Sequence, residues 1–390
     1  MVRVSSRMEG LAESGTVRMA NMERELKARG IKTISFALGE PDFPTPAHIV
    51  EAAAEAMRAG FTHYTASKGI PELREAIAEK SRVENGIPCS PDDVLVTPTK
   101  LGIYLAMMAF VDRDDEVVVP DPGWVSYIPM VRLAGGKPVP LRLRAEDDFR
   151  MTPERLAEAL TPRTRAVVLN SPSNPTGSVA TEADMKGIAD LARDHDLLVL
   201  TDEIYEKLIY EGRHVSIASL DGMFERTITF NGLSKSYAMT GWRLGWVVAP
   251  KELMKQLDRL QQHTLTCAPS FAQKGAVAAL RGPQDCVDRM REEFRRRRDF
   301  LLGRLEASGL FECRRPSGAF YLFPKYRVNM PSLELAEKLL EKAHVALTPG
   351  SAFGPGGEGH IRISYATSME NLEEGMRRIE EAMGGSKGAR

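Results

Sequence analysis

No stretch of this sequence is long and apolar enough to cross a bilayer. The longest apolar run, around Leu105 to Val111, falls far short of the ~20 residues that a spanning helix needs. The opening Met-Val-Arg-Val-Ser-Ser-Arg lacks the apolar core of a secretion signal, so the chain is expected to be cytoplasmic. Cysteine is scarce too. Cys89, Cys267, Cys286 and Cys313 lie far apart and form no C-x-x-C pair, which disfavours a zinc knuckle and a disulfide framework. The seven histidines show no metal-ligand spacing, and no metal site is expected. Net charge is also missing: 52 basic residues against 53 acidic ones leave -1, so nothing in the balance draws the chain to nucleic acid or to an anionic membrane. The run Arg295 to Arg298 is interleaved with Glu292, Glu293 and Asp299 on one helical pattern and reads as a solvated face. Gly354, Gly356 and Gly359 spell G-x-G-x-x-G by letter. Pro355 interrupts them and a strand pattern follows, so a dinucleotide site is not expected.

What is present is an ordinary globular composition, 43% hydrophobic and 27% charged over 390 residues, enough for two domains. From about residue 45, amphipathic helical patterns alternate with short β-branched runs. That pattern predicts an α/β fold whose mainly parallel, seven-stranded-type sheet is flanked by helices. Thr45-Pro46 reads as an N-cap and N1 pair opening a helix that Gly60 closes, and a second helix begins at Pro71. Buried strands are predicted at residues 115–120, 165–170, 197–202, 227–231 and 244–249. After Gly282-Pro283 the style changes. A long charged helix, a strand over 318–322, a helix, a strand over 360–364 and a last helix predict a smaller α+β domain. We place the large domain at 46–282 and the small one at 1–45 with 283–390, and expect the Gly/Ser/Lys-rich tail from Gly384 to be loose.

In open parallel sheets ligands bind outside the carboxyl ends of the strands, so the residues where apolar runs stop carry the information. One run stops at Asn170 and leads through Ser171-Pro172-Ser173 to Asn174-Pro175-Thr176-Gly177. The next stops at Asp202-Glu203-Ile204-Tyr205, and a third leads into Ser234-Lys235. An amide, a carboxylate, a phenol and a lysine thus converge on one rim, and Gly241-Trp242-Arg243 adds a guanidinium. That set matches the needs of pyridoxal 5'-phosphate (PLP). A buried carboxylate such as Asp202 can keep the pyridine nitrogen protonated. Asn174 and Tyr205 can bond its phenolic oxygen, Lys235 can supply the amine that forms an imine, and Arg243 can fork onto the phosphate.

With these motifs in order, the chain resembles the class I family of fold type I PLP aminotransferases, in the branch of many bacterial and archaeal aspartate aminotransferases. The matching stretches are Gly39-Glu40-Pro41-Asp42-Phe43, Tyr64, residues 69–74, Asn174 to Gly177, Asp202 to Tyr205, Ser234-Lys235, Gly241 to Arg243, Pro316 to Tyr321, and Arg362. They cover nearly the whole chain. The resemblance implies that Trp124 stacks on the pyridine ring, that Tyr64 reaches the phosphate in a neighbouring subunit, and that Arg362 binds the substrate α-carboxylate with Gly39 closing over it. It further implies a homodimer with shared active sites and small amino-acid and 2-oxo-acid substrates. Lys235, Asp202 and Tyr205 are the expected catalytic residues.

One stretch departs from the family. The run Val96-Thr97-Pro98-Thr99-Lys100 is one residue short in the phosphate loop, and Gly232 stands where some relatives have serine. The amides of Thr99 and Lys100, with Ser234, remain candidates for the phosphate. Aligned across the gap, Lys100 falls where the resemblance places a contact to a distal substrate carboxylate, which favours aspartate or another acidic amino acid, with an acceptor such as 2-oxoglutarate. Alternatives are transfer from alanine, aromatic or other neutral amino acids, or a carbon-sulfur lyase on the same scaffold. A PLP-sensing regulator would need an attached DNA-binding segment, for which the residues before Pro41 are too few. Read singly, Asp202 is also a possible helix N-cap, Trp124 a core residue and Arg362 an ordinary strand residue.

Overall fold

The computed structural model describes residues 4–8, 11 and 15–384. The rest of the tail expected to be loose, 385–390, lies outside them. Helix α1 (Gly15–Ala28) and strand β1 (Ile34–Ser35) come first, then α2 (Ala47–Arg58) and α3 (Pro71–Asn85). An alternation follows: β2 (Val94–Val96), α4 (Thr99–Phe110), β3 (Glu116–Asp121), α5 (Tyr127–Leu133), β4 (Lys137–Arg142), α6 (Pro153–Ala159), β5 (Thr164–Asn170), α7 (Glu182–Asp194) and β6 (Leu198–Asp202). Strands β7 (Thr227–Gly232) and β8 (Gly245–Val248) then lead to α8 (Lys251–Gln262), α9 (Ser270–Arg281) and the long α10 (Asp285–Ser308). The chain ends with β9 (Phe311–Glu312), β10 (Tyr321–Leu322), β11 (Lys325–Tyr326), α11 (Ser332–Ala343), β12 (Val345–Ala346), β13 (Thr348–Pro349), β14 (Ile361–Ser364) and α12 (Met369–Ala382).

The β-branched runs pair into one seven-stranded sheet of order β2-β8-β7-β6-β5-β3-β4. Its pairs are parallel except those of β8, which runs antiparallel to β7 and β2. The fold is the expected α/β one. Strands β3, β6 and β7 are buried along their whole length because helices cover both faces, which is why they read as unbroken apolar runs. Two edge strands were not legible. β2 has only three residues, and β4 carries Pro138 and Pro140, which cannot donate to a ladder and are tolerated where one side of the strand has no partner.

Around the second half of the chain, α10, α11 and α12 enclose Phe36, Phe294, Phe320, Leu339, Ile363 and Ile379 in a core that also takes in Ile204, Tyr205 and Leu208. Parallel pairing of Ile34 with Val345 ties the N-terminal segment to this unit.

Three local expectations need correction. Thr45 is not an N-cap: Pro46 holds that position without a side-chain bond, while the Thr45 hydroxyl donates to Ala238 O at 2.7 Å and accepts from Trp242 Nε1 at 3.0 Å. The arginine run is not a single solvated face. Residues 100° apart on a helix cannot all point outward, and Arg297 and Arg298 turn in, their side chains 7% and 1% exposed, onto Asp42 and Glu211. Finally, the strand expected from Gly318 begins only at Tyr321, because Ala319 adopts φ 56° and breaks the extended path.

Candidate active site

Parallel pairing of β5, β6 and β7 brings their carboxyl ends to one rim, and a cavity of about 300 Å³ opens there. It is lined by Gly39, Thr99, Lys100, Trp124, Asn174, Asp202, Tyr205, Ser234, Lys235, Arg243 and Arg362. Every expected site residue is therefore in one place except Tyr64, which is 88% exposed and does not line its own chain's cavity.

The walls are fixed by hydrogen bonds that the local sequence sets up. Asn170, the last residue of β5, accepts from the Asn174 amide at 2.9 Å and donates to Asp202 O at 3.0 Å, locking the two strand ends together. Asp202 ends β6 with its carboxylate buried. Tyr127 Oη donates to Oδ2 at 2.8 Å and the Ile204 amide to Oδ1 at 3.2 Å. Burial pushes Asp202 up to about 6 even though both donors favour the ionised form. The Tyr205 and Tyr321 hydroxyls lie 2.8 Å apart, and burial raises both phenols.

Lys235 Nζ donates to Gly39 O at 2.6 Å, and burial lowers its ammonium to about 8. Arg362 is buried and has no carboxylate partner among the described residues. Nη1 donates to Asn174 Oδ1 at 2.9 Å and Nη2 to Ala37 O at 2.6 Å, while the guanidinium lies 4.5 Å from the Tyr321 ring centroid and Nε is left without a partner. A buried donor without an acceptor is costly, and the obvious remedy is an anionic ligand. Across the cavity Lys100 Nζ lies 5.1 Å from the Trp124 ring centroid, and burial together with Arg243 lowers its pKa. Arg243 sits in the left-handed region at φ 54° and donates to Thr240 O at 2.9 Å.

Sequence reasoning missed Tyr127, Asn170 as a clamp, and Phe353. Tyr127 is a fully buried aromatic in an apolar helix and reads as core; only its partner reveals it. Away from the cavity, Glu203, Glu206 and His214 bring ligand atoms within 4.8 Å of one another, a cluster that no spacing signals. The Lys80 ammonium, bonded to Glu206, already supplies positive charge there.

The chain matches the family model for aminotransferase class I and II over residues 31–379. It belongs to that family. Its aminotransferase relatives include aromatic-amino-acid aminotransferase 2 of Thermococcus litoralis, 47% identical over 363 residues, 91% of this chain and 93% of the relative. The aspartate aminotransferase of Bacillus subtilis is 42% identical over 388 residues, 97% of this chain and 98% of that one. Among solved structures, the aspartate aminotransferase from Thermus thermophilus with maleate superposes with a TM-score of 0.94 at 42% identity, over 98% of this chain and 100% of that one. This aminotransferase moves an amino group from an amino acid to a 2-oxo acid.

Proposed function

We propose that this aminotransferase holds PLP on Lys235 and transfers the amino group of an acidic amino acid, aspartate foremost, to an acceptor such as 2-oxoglutarate. The observation that carries this reading is the joint presence in one cavity of a lysine lowered to about 8, a buried carboxylate and an arginine with an unpartnered donor. The donor set fits the cofactor: an amine for its aldehyde, Asp202 for its ring nitrogen, Asn174 and Tyr205 for its phenolic oxygen, and Trp124 for a ring face. Ser234, Arg243 and the first amides of α4 suit its phosphate. When bound, PLP supplies an aldehyde that captures amino groups and a protonated ring that accepts an electron pair.

The chain's own residues do the rest. Arg362 grips the substrate α-carboxylate, and the Gly39 segment closes over it. Lys235, neutral above about pH 8, takes the proton from the substrate Cα as general base. Asp202, ionised and hydrogen-bonded by Tyr127, holds positive charge on the ring nitrogen. Lys100 has no carboxylate partner among the described residues and faces the cavity, which suits it to a distal carboxylate. The dicarboxylate maleate in the Thermus thermophilus structure supports that assignment. A second reading, aromatic substrates, is favoured by the Thermococcus litoralis relative and by Trp124, Tyr321 and Phe353 in the cavity wall.

The same proposal includes a homodimer in which Tyr64 of each chain serves its partner's site, supported by its 88% exposure. It also includes a division into a PLP-binding domain, 46–282, and a small domain of 1–45 with 283–390, supported by the core around Phe294, most of whose residues fall in the small domain, and by the pairing of Ile34 with Val345.

The test is a stopped-flow scan of amino acids against the loaded enzyme and its Lys235→Ala variant. Aspartate and glutamate should convert the cofactor fastest. Turnover by Lys235→Ala would overturn the role of the lysine, and a tenfold preference for phenylalanine or tyrosine would establish the second reading.

A further inference from the structure

We infer that the Thr99 side chain positions the phosphate corner, its hydroxyl acting as a steric and hydrogen-bonded joint with Gly232 and Gly245 and not as a ligand of the cofactor. This rests on the proposed binding of PLP. Thr99 opens α4, and its hydroxyl donates to Asn231 O at 2.9 Å. A hydroxyl has one proton, and a phosphate dianion only accepts, so the proton spent on Asn231 is unavailable to the phosphate.

The neighbouring glycines show how closely the joint is fitted. Gly232 ends β7 and pairs with Gly245 at the start of β8. A Cβ at 232 would lie 2.6 Å from Thr99 Oγ1 and 2.8 Å from Gly245 Cα; one at 245 would lie 2.2 Å from the same oxygen and 2.7 Å from Asn231 O. Neither glycine has a positive φ, so room and not backbone conformation demands them. The Thr99 side chain therefore fills the space that a side chain at 232 would take.

The joint has consequences on both sides. Ser234 lies two residues after Gly232 and Arg243 two before Gly245, and both share the cavity wall with Thr99 and Lys100. Seating Thr99 against the strand pair therefore fixes the first turn of α4, whose leading amides have no intrahelical acceptor, relative to the serine and the guanidinium. The threonine at 99 and the glycine at 232 are two halves of one arrangement.

Affinity for PLP and for pyridoxal, which lacks the phosphate, separates this role from others. Thr99→Val should weaken PLP at least tenfold while leaving pyridoxal capture by Lys235 within twofold, and Thr99→Ser should restore PLP affinity to within threefold. Gly232→Ser should weaken PLP at least tenfold, because its side chain would displace both the Thr99 hydroxyl and the Gly245 backbone. Pyridoxal capture by the same variants shows that they are folded. Thr99→Val binding PLP as tightly as the unaltered enzyme, or losing pyridoxal in step with PLP, would overturn the joint alone. If the unaltered enzyme took up neither compound, the cofactor reading would fall first and the joint with it.

Discussion

Asp202 stands between two opposed influences. Burial favours the protonated acid, and the Tyr127 hydroxyl, 2.8 Å away, favours the carboxylate; the balance lies at about 6. Only the carboxylate can hold a proton on the ring nitrogen, so activity should fall as pH drops through the Asp202 pKa. Tyr127→Phe removes the donor and leaves the burial, which raises that pKa. Hydrogen bonds to charged groups contribute about 1.5–3 kcal/mol, so the acid limb of kcat/KM should move up by about one pH unit or more. An acid limb that stays in place would remove Tyr127 from this role. At this scale the sequence was informative where chemistry sits at a strand end, as with Lys235, Asp202 and Asn174. It was silent on Tyr127, whose importance lies in a partner 75 residues away.

Between elements, the least expected feature is a buried ion pair. Lys80 on α3 meets Glu206, just beyond β6, with both side chains 6% exposed and Asn85 completing the bonds to the carboxylate. Burial alone would raise Glu206, but Lys80 and His214 bring it down to about 2. A depressed carboxylate stabilises the fold above its unfolded pKa, near 4.3, and that contribution is lost as pH falls from about 4 toward 2. Lys80→Met would strand the charge and should cost about 3–5 kcal/mol in urea unfolding at neutral pH, with Lys80→Met/Glu206→Met costing clearly less. A double variant that costs the sum of the two single variants, Lys80→Met and Glu206→Met, would show that the pair is not coupled. Helix α3 was legible from Pro71 onward, yet nothing in its pattern marks Lys80 as buried, because a lysine in a helix is ordinarily read as a solvated one. For the same reason Arg298 was taken for surface, although it lies against Tyr210 and pairs with Glu211.

For the whole molecule, the proposed dimer makes each site a composite. Lys235→Ala removes the amine from a chain's own cavity, and Tyr64→Ala removes what that chain gives to its partner. Each variant should be impaired alone. Mixed in equal amounts and allowed to exchange subunits, they should form hybrids in which one site has both residues intact; half of the dimers become hybrids, so activity should rise toward about a quarter of that of the unaltered enzyme. No gain after exchange, with hybrids confirmed by native mass spectrometry, would place Tyr64 outside the partner's site. The sequence by itself determined the α/β architecture, because strands covered on both faces must be apolar throughout, and it determined the candidate rim, because parallel strands end on one side. The edges escaped it: β4, with its prolines, is a strand only because it lies at the end of the sheet. Only the tertiary structure decided which charges are buried, which phenol serves Asp202 and how Thr99 meets Gly232 and Gly245. Those contacts join residues distant along the chain, and local pattern records the exposure a residue type usually has, not the partner it finds.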